Sequence, residues 1–364
     1  MKVVVQRDLL LAALQTVQNI VSTRTSLPVL ANVLIKAEDG LINLSTTDLD
    51  TGIRTQVEAN ISKAGSITLP ARRLFSIIRE LSSPDVTIDV DSKLSASIEA
   101  GNTFFKIMGL PEEDFPPFPK TEGAQAFLIE QRLFREMLRK TSYAMSTDES
   151  RYVLNGALLS FKGNKLTVVS TDGRRLALVD HEMEIPNGSE IDVILPTKAV
   201  NELMRILSEE GDLDIALSEN QVAFTVGDTF LVSKLIEGNY PNYKQVIPSD
   251  TKERITLERE LLLGCVKRVA LLSSDKSNSV KLTFGDNSLE ISANTPDVGE
   301  ARETLSIKYS GKQFSIAFNP NYLTDPLRVL HAEEIFFDFT DELSPGVIRY
   351  TSPFLYVLMP MRSA

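Results

Sequence analysis

The residues that most often do chemistry are sparse in this 364-residue chain. It has two histidines, His181 and His331, and one cysteine, Cys265. That inventory builds neither a His-rich nor a multi-Cys metal centre, and a single Cys excludes an internal disulfide. Neither His nor Cys265 has a reactive partner by spacing, so a nucleophile–base set is not expected. The carboxylates Glu112-Glu113-Asp114 and Glu209-Glu210 are of the type that does acid–base work. They sit side by side in charge-rich, loop-like stretches, where such groups are normally just solvated. No phosphate loop of the Gly, four residues, Gly-Lys, Ser/Thr pattern is present. The one glycine of Thr171-Asp172-Gly173-Arg174-Arg175 is a weak signal for an anion nest. The chemistry expected is binding, with no catalysis and no cofactor or metal.

Cations are the groups with a pattern. The chain has 38 Lys or Arg against 49 Asp or Glu, a net charge of −11. Averaged over a surface, that charge argues against a polyanionic partner, but a nucleic-acid footprint is local. Six helix-like windows, 7–24, 72–80, 130–140, 197–205, 259–268 and 321–331, hold 15 Lys or Arg and 7 Asp or Glu. They sum to +8 and leave −19 on everything else. Arg72, Arg73 and Arg79 share one window, Arg132, Arg135, Arg139 and Lys140 another, Lys267 and Arg268 a third. Any one window reads equally well as an ordinary solvated helix face. An excess in five of six suggests basic helices gathered on one surface of an acidic protein. Such a surface holds DNA by its phosphates, without base readout.

The elements that must position these residues recur. Pro70, Pro196 and Pro320 open helix-like segments at spacings of 126 and 124. Phe104, Phe230 and Phe354 open apolar segments at the same spacings. Ile42, Leu166 and Leu289 mark a strand-like run 124 and 123 apart. Three landmarks in one order predict three tandem copies, 1–119, 127–249 and 253–364, joined by segments rich in Pro, Asn and charge. Each copy has two helix candidates among short alternating strands, which predicts α+β domains with helices packed on antiparallel sheets. The prolines suit first helical positions, and Pro326 should kink or shorten the last helix. No apolar run is long enough to span a membrane, and the N-terminus lacks a signal-peptide apolar region. A soluble cytoplasmic protein is expected.

RTSLPVLANVLI (24–35), LPARRLF (69–75), ESRYVLNGALL (149–159), STDGRRLAL (170–178), EGNYPNYKQVIP (237–248), FNPNYL (318–323) and YVLMPMR (356–362) carry a family likeness. Over essentially its whole length the chain resembles the bacterial sliding clamps, the beta subunits of DNA polymerase III. The resemblance implies a DNA clamp fold and a ring-shaped head-to-tail homodimer around double-stranded DNA, with helices inside. It implies a non-catalytic processivity factor that tethers the polymerase III catalytic subunit, the clamp loader, other polymerases and repair proteins by short linear peptides. The peptide pocket it implies lies between copies two and three. Its walls are Leu154, Thr171, Gly173, Arg174, Leu176, Pro241, Val246, Asn319, Tyr322, Leu343, Val357, Leu358, Met359, Pro360, Met361 and Arg362. Leu, Val, Met and Pro would make an adaptable apolar cleft. The DNA contacts implied are Arg24, Arg72, Arg73, Arg79, Arg151 and Tyr152, and the dimer contacts Phe105 and Ile107 against Leu271 and Leu272. Gln245, Ser277 and the Ser363-Ala364 end depart from the family pattern at the pocket rim. A three-repeat peptide scaffold that never encircles DNA is the alternative, and basic helices count against it.

Overall fold

A computed structural model describes residues 1–21, 27–118, 124–185, 190–273, 278–296, 298–351 and 353–361. Its α-helices are α1 (Arg7–Val17), α2 (Ala71–Glu80), α3 (Gln131–Thr141), α4 (Thr197–Ile206), α5 (Arg259–Val269) and α6 (Pro320–Val329). Each directly follows one strand and precedes three antiparallel strands. Six β-α-β-β-β motifs therefore run along the chain, two in each of three repeated domains. Motif one is Lys2–Gln6, α1, Asn32–Glu38, Leu41–Thr47 and Thr51–Glu58. Motif two is Gly65–Pro70, α2, Asp85–Val90, Ser95–Ala100 and Thr103–Met108, and a short extra strand, Asn60–Lys63, lies between them.

The halving is invisible in the sequence because paired motifs exchange opening strands. Lys2–Gln6 pairs with Asp85–Val90 of motif two, and Gly65–Pro70 pairs with Asn32–Glu38 of motif one. The same exchange joins Gln125–Glu130 to Asp212–Leu217 and Ile191–Pro196 to Gly156–Lys162. It recurs between Glu253–Glu258 and Glu334–Phe339, and between Phe314–Phe318 and Val280–Gly285. A motif without its partner would lose a strand.

Two joints enlarge the sheets. Thr51–Glu58, the last strand of motif one, pairs with Thr229–Lys234, the last of motif four. Arg175–Glu182, the last of motif three, pairs with Phe354–Leu358, the last of motif six. The result is sheets of five, eight, eight and four strands. Compactness divides the chain accordingly. One unit is Met1–Arg135 with Asn201–Leu235, the other Glu136–Val200 with Ile236–Ala364. The central repeat is shared between the two, because each half of it belongs to a neighbour's sheet.

The helices bury one stripe each, as 3.6-residue spacing requires. Leu10, Ala13, Leu14 and Val17 do so in α1, and Leu262, Cys265, Val266 and Val269 in α5. The landmark prolines differ from expectation. Pro320 is the first residue of α6, but Pro70 and Pro196 are the last residues of strands. Pro70 is still paired with Asn32, with ψ of 108°. The helix begins one residue later, where that pairing ends.

Pro326 does not shorten α6, which has ten residues like α2 and α4. Proline removes the N–H that would bond the carbonyl four residues back, here that of Tyr322. The Tyr356 hydroxyl donates to that carbonyl instead, at 2.8 Å. Burial pushes the Tyr356 hydroxyl well above the usual phenol range, so it remains a donor.

Candidate functional site

The turn after the strand Lys165–Thr171 is fixed by its own side chains. Asp172 Oδ1 accepts from the backbone N–H of Arg174 (2.8 Å) and of Arg175 (3.1 Å). Thr171 Oγ1 accepts from Gly173 N at 3.1 Å and donates to the Arg175 carbonyl at 2.5 Å. Gly173 has φ of +85°, which favours glycine, and a Cβ there would stand 2.9 Å from Arg151 Nη1.

The segment after the strand Phe354–Leu358 is laced to this turn and to the strand Phe314–Phe318. Met359 N donates to the Arg174 carbonyl (2.9 Å), and Met361 N to that of Ala317 (2.7 Å). Leu176 stands opposite Val357 in register. Asn319 caps α6, its Oδ1 accepting from Asn321 N at 2.9 Å. Thr171, Gly173, Arg174, Met359, Met361, Asn319 and Tyr322 are thereby brought onto joined elements of one compact unit.

Five expected walls lie deeper than expected. Leu154, Thr171, Leu176, Val357 and Leu358 are buried, so they support the surface from beneath. Leu176 and Val357 share a core cluster with Leu158, Val169, Ile194, Val347 and Leu355, against which Ile236, Tyr240, Tyr243 and Ile247 pack. Pro241 and Val246 ride on that last segment, and Val246, Met359 and Leu343 are exposed. Leu343 is 78% exposed, on a turn pinned by Asp341. Pro360 is half-buried. Arg362, Ser277, Ser363 and Ala364 lie outside the described residues.

Arg175 joins this group although nothing in the sequence singles it out. Its guanidinium is largely buried and bonds Asp172 Oδ2 (3.1 Å), Asp325 Oδ2 (2.6 Å) and the Tyr143 carbonyl. It lies over the Tyr322 ring, 4.5 Å from the centroid. In the sequence it is only the second arginine of a turn, and no signal marks a partner 150 residues away.

The helix cations sort into spent and free. Arg135 pairs with Glu209, Arg139 and Lys140 with Glu136, Arg205 with Glu202, Arg268 with Glu303 and Arg328 with Asp325. Lys140 is only 6% exposed and also donates to the Tyr350 hydroxyl, so it is no surface cation. Arg79 pairs with Glu80 and stacks on Phe75. Arg72, Arg73, Arg132 and Lys267 are exposed and have no ion pair among the described residues. Arg151 leans on the turn described above, Nη1 donating to the Asp172 carbonyl at 3.1 Å, and Tyr152 beside it is 59% exposed. Arg24 lies outside the described residues.

The remaining residues of interest sit on or beside sheet edges. Phe105 and Ile107 lie on Thr103–Met108, the outer strand of the five-stranded sheet, where Phe105 is 38% exposed. Leu271 is 81% exposed, on the single turn Ala270–Leu272 that ends α5. The half-buried Leu272 abuts the outer strand Gly299–Ser306, its Cδ1 3.7 Å from where a Gly299 Cβ would be. None of the four is ordinary core.

Three family signatures match along the chain. They are the N-terminal, central and C-terminal domains of the DNA polymerase III beta subunit, over residues 1–119, 128–242 and 244–362. The chain belongs to that family. The beta sliding clamp of Chlamydia muridarum is 36% identical over 362 residues, covering 100% of this chain and 99% of its own. That of Pseudomonas aeruginosa is also 36% identical, covering 98% of this chain and 99% of its own. Among solved structures, the Pseudomonas aeruginosa beta subunit superposes with a TM-score of 0.94 at 35% identity. The sliding clamp of Bacillus subtilis does so with 0.95 at 31%, and each pair is covered completely. The protein is thus a sliding clamp, a non-catalytic processivity subunit of DNA polymerase III acting in DNA replication. Among the described residues no helix is long and apolar enough to cross a membrane.

Proposed function

We propose that two copies of this clamp pair head to tail as a ring around duplex DNA, in the cytoplasm, and tether replication and repair proteins by a peptide pocket. The observation that carries the ring is a rule of strand pairing. Motif one's last strand pairs with motif four's, and motif three's with motif six's. Continued, the rule pairs motif five's last strand, Gly299–Ser306, with that of a motif two. Within one chain both Gly299–Ser306 and Thr103–Met108 are edges, with Phe105, Ile107, Leu271 and Leu272 beside them. A second copy satisfies both edges twice over, and a heterologous contact that closes gives a ring. Unpaired edges otherwise invite aggregation.

We take the three domains as 1–119, 127–249 and 253–364. For DNA we assign Arg72, Arg73, Arg79, Arg151 and Tyr152, with Arg24, and add Arg132 and Lys267, whose charges are unspent. For peptides from the polymerase III catalytic subunit, the clamp loader, other polymerases and repair proteins, we assign the surface formed by the 171–174 turn, the start of α6, 241–246 and 357–362. A Pseudomonas aeruginosa clamp, 34% identical, is solved bound to griselimycin, and the same ligand is expected to bind here.

The test is topological. Once loaded on nicked circular DNA, the protein should stay through gel filtration and leave when the circle is cut. Equal loss from circle and line would refute encirclement.

A further inference from the structure

We infer that Arg175 is the positioning residue of the peptide pocket: it ties the 171–174 turn to Tyr322 and Asp325 of α6 and to the end of α3, so that the surface is formed before a peptide arrives. This rests on the pocket reading above and deepens it.

Each partner of the guanidinium belongs to an element that ends at the pocket. Asp172 is the residue whose Oδ1 shapes the turn, while its Oδ2 takes Arg175 Nε. Asp325 is on α6, one turn from Tyr322. Tyr143, whose carbonyl takes the third bond, is on the single turn that ends α3. The Tyr322 ring rests on the guanidinium, and its carbonyl is held by Tyr356. Tyr322 is thus tied at both ends. The planar fork reaches three acceptors while its face takes a ring, which an ammonium cannot do.

Stability alone does not explain such a group. A buried ion cluster is often replaceable by apolar residues at no net loss. What it supplies is geometry: without it the turn keeps its own Thr171 and Asp172 bonds but is no longer tied to Tyr322 and α6, and the apparent affinity falls with the fraction of molecules in the competent form. Arg175 itself stays beneath the surface, 11% exposed, so the effect needs no contact with ligand.

The probe is griselimycin, titrated against the dimeric protein. Arg175→Gln should weaken binding about tenfold or more, and Arg175→Lys nearly as much, mainly through slower association. Asp172→Asn keeps the turn's backbone bonds but loses the ion pair. Its effect should not add to that of Arg175→Gln, because both remove one device. Amide exchange should quicken at Gly173 and Arg174 and stay unchanged in Val280–Gly285. If Arg175→Gln does not fold, Arg175→Lys and Asp325→Asn carry the test. Affinity within about twofold of the parent, with only a lower melting temperature, would make Arg175 merely structural and overturn the inference. If Val246→Asp and Met361→Ala leave griselimycin binding intact, the pocket reading fails and takes the inference with it.

Discussion

Tyr356 and Tyr143 are neighbouring tyrosines with buried hydroxyls, 5.8 Å between ring centroids, with opposite expected responses to losing a hydroxyl. The Tyr356 hydroxyl serves the carbonyl that Pro326 leaves unserved. Tyr356→Phe strands that buried acceptor and should cost about 1–3 kcal/mol. The Tyr143 hydroxyl is buried without a partner among the described residues, so Tyr143→Phe should be neutral or slightly stabilising. Urea unfolding of both variants separates the two outcomes. Cys265 is a third case. Burial, and then the nearby Glu303 carboxylate, push its thiol up to about 12. It should resist iodoacetamide at pH 8 in the folded protein and react fully in urea. A folded-state value raised above the unfolded one stabilises below the ordinary thiol range, and that contribution fades as pH rises towards 12.

The edge strands are the elements on which we place association. Thr103–Met108 exposes Phe104, Phe105 and Met108 but also carries Lys106, a charge of the kind that keeps an edge from pairing indiscriminately. Leu272→Ala removes apolar surface that we place in the contact and should weaken the dimer, by up to about 2–5 kcal/mol if the side chain becomes fully buried there. The chain mass is 40.3 kDa. Sedimentation at micromolar concentration should show a shift from about 80 kDa towards the single chain, and an unchanged dimer would remove Leu272 from the interface. The helices give the complementary lesson. α3 has the most basic sequence of the six, yet most of its cations are paired or buried, whereas α2 presents Arg72 and Arg73 free.

For the molecule as a whole, charge segregation is the property that matters. The six helices hold 14 Lys or Arg against 6 Asp or Glu, a net of +8, on a chain of −11. Loose phosphate contact at a basic surface suits sliding, because it fixes no base register. Replacing Arg72 and Arg73 by Ala should shorten retention on nicked circles. It should also flatten the dependence of log affinity on log salt by about 0.9 for each phosphate no longer neutralised. An unchanged slope would remove these arginines from the interface.

The threefold repeat, the α+β class and the basic bias of the helices are all legible in the order of residues. Periodicity and composition are local properties, and proline, phenylalanine and charge keep their places along a chain. Enough family-specific stretches also stand there to point to a clamp. The division of each repeat into two motifs was not legible, because the exchanged opening strands are distant in sequence and alike in pattern. Which cations stay free was equally hidden. Glu209 takes Arg135 from 74 residues away, and Asp325 takes Arg175 from 150. Only folding decides such pairings, since an ion pair or a buried hydroxyl depends on which groups share a volume.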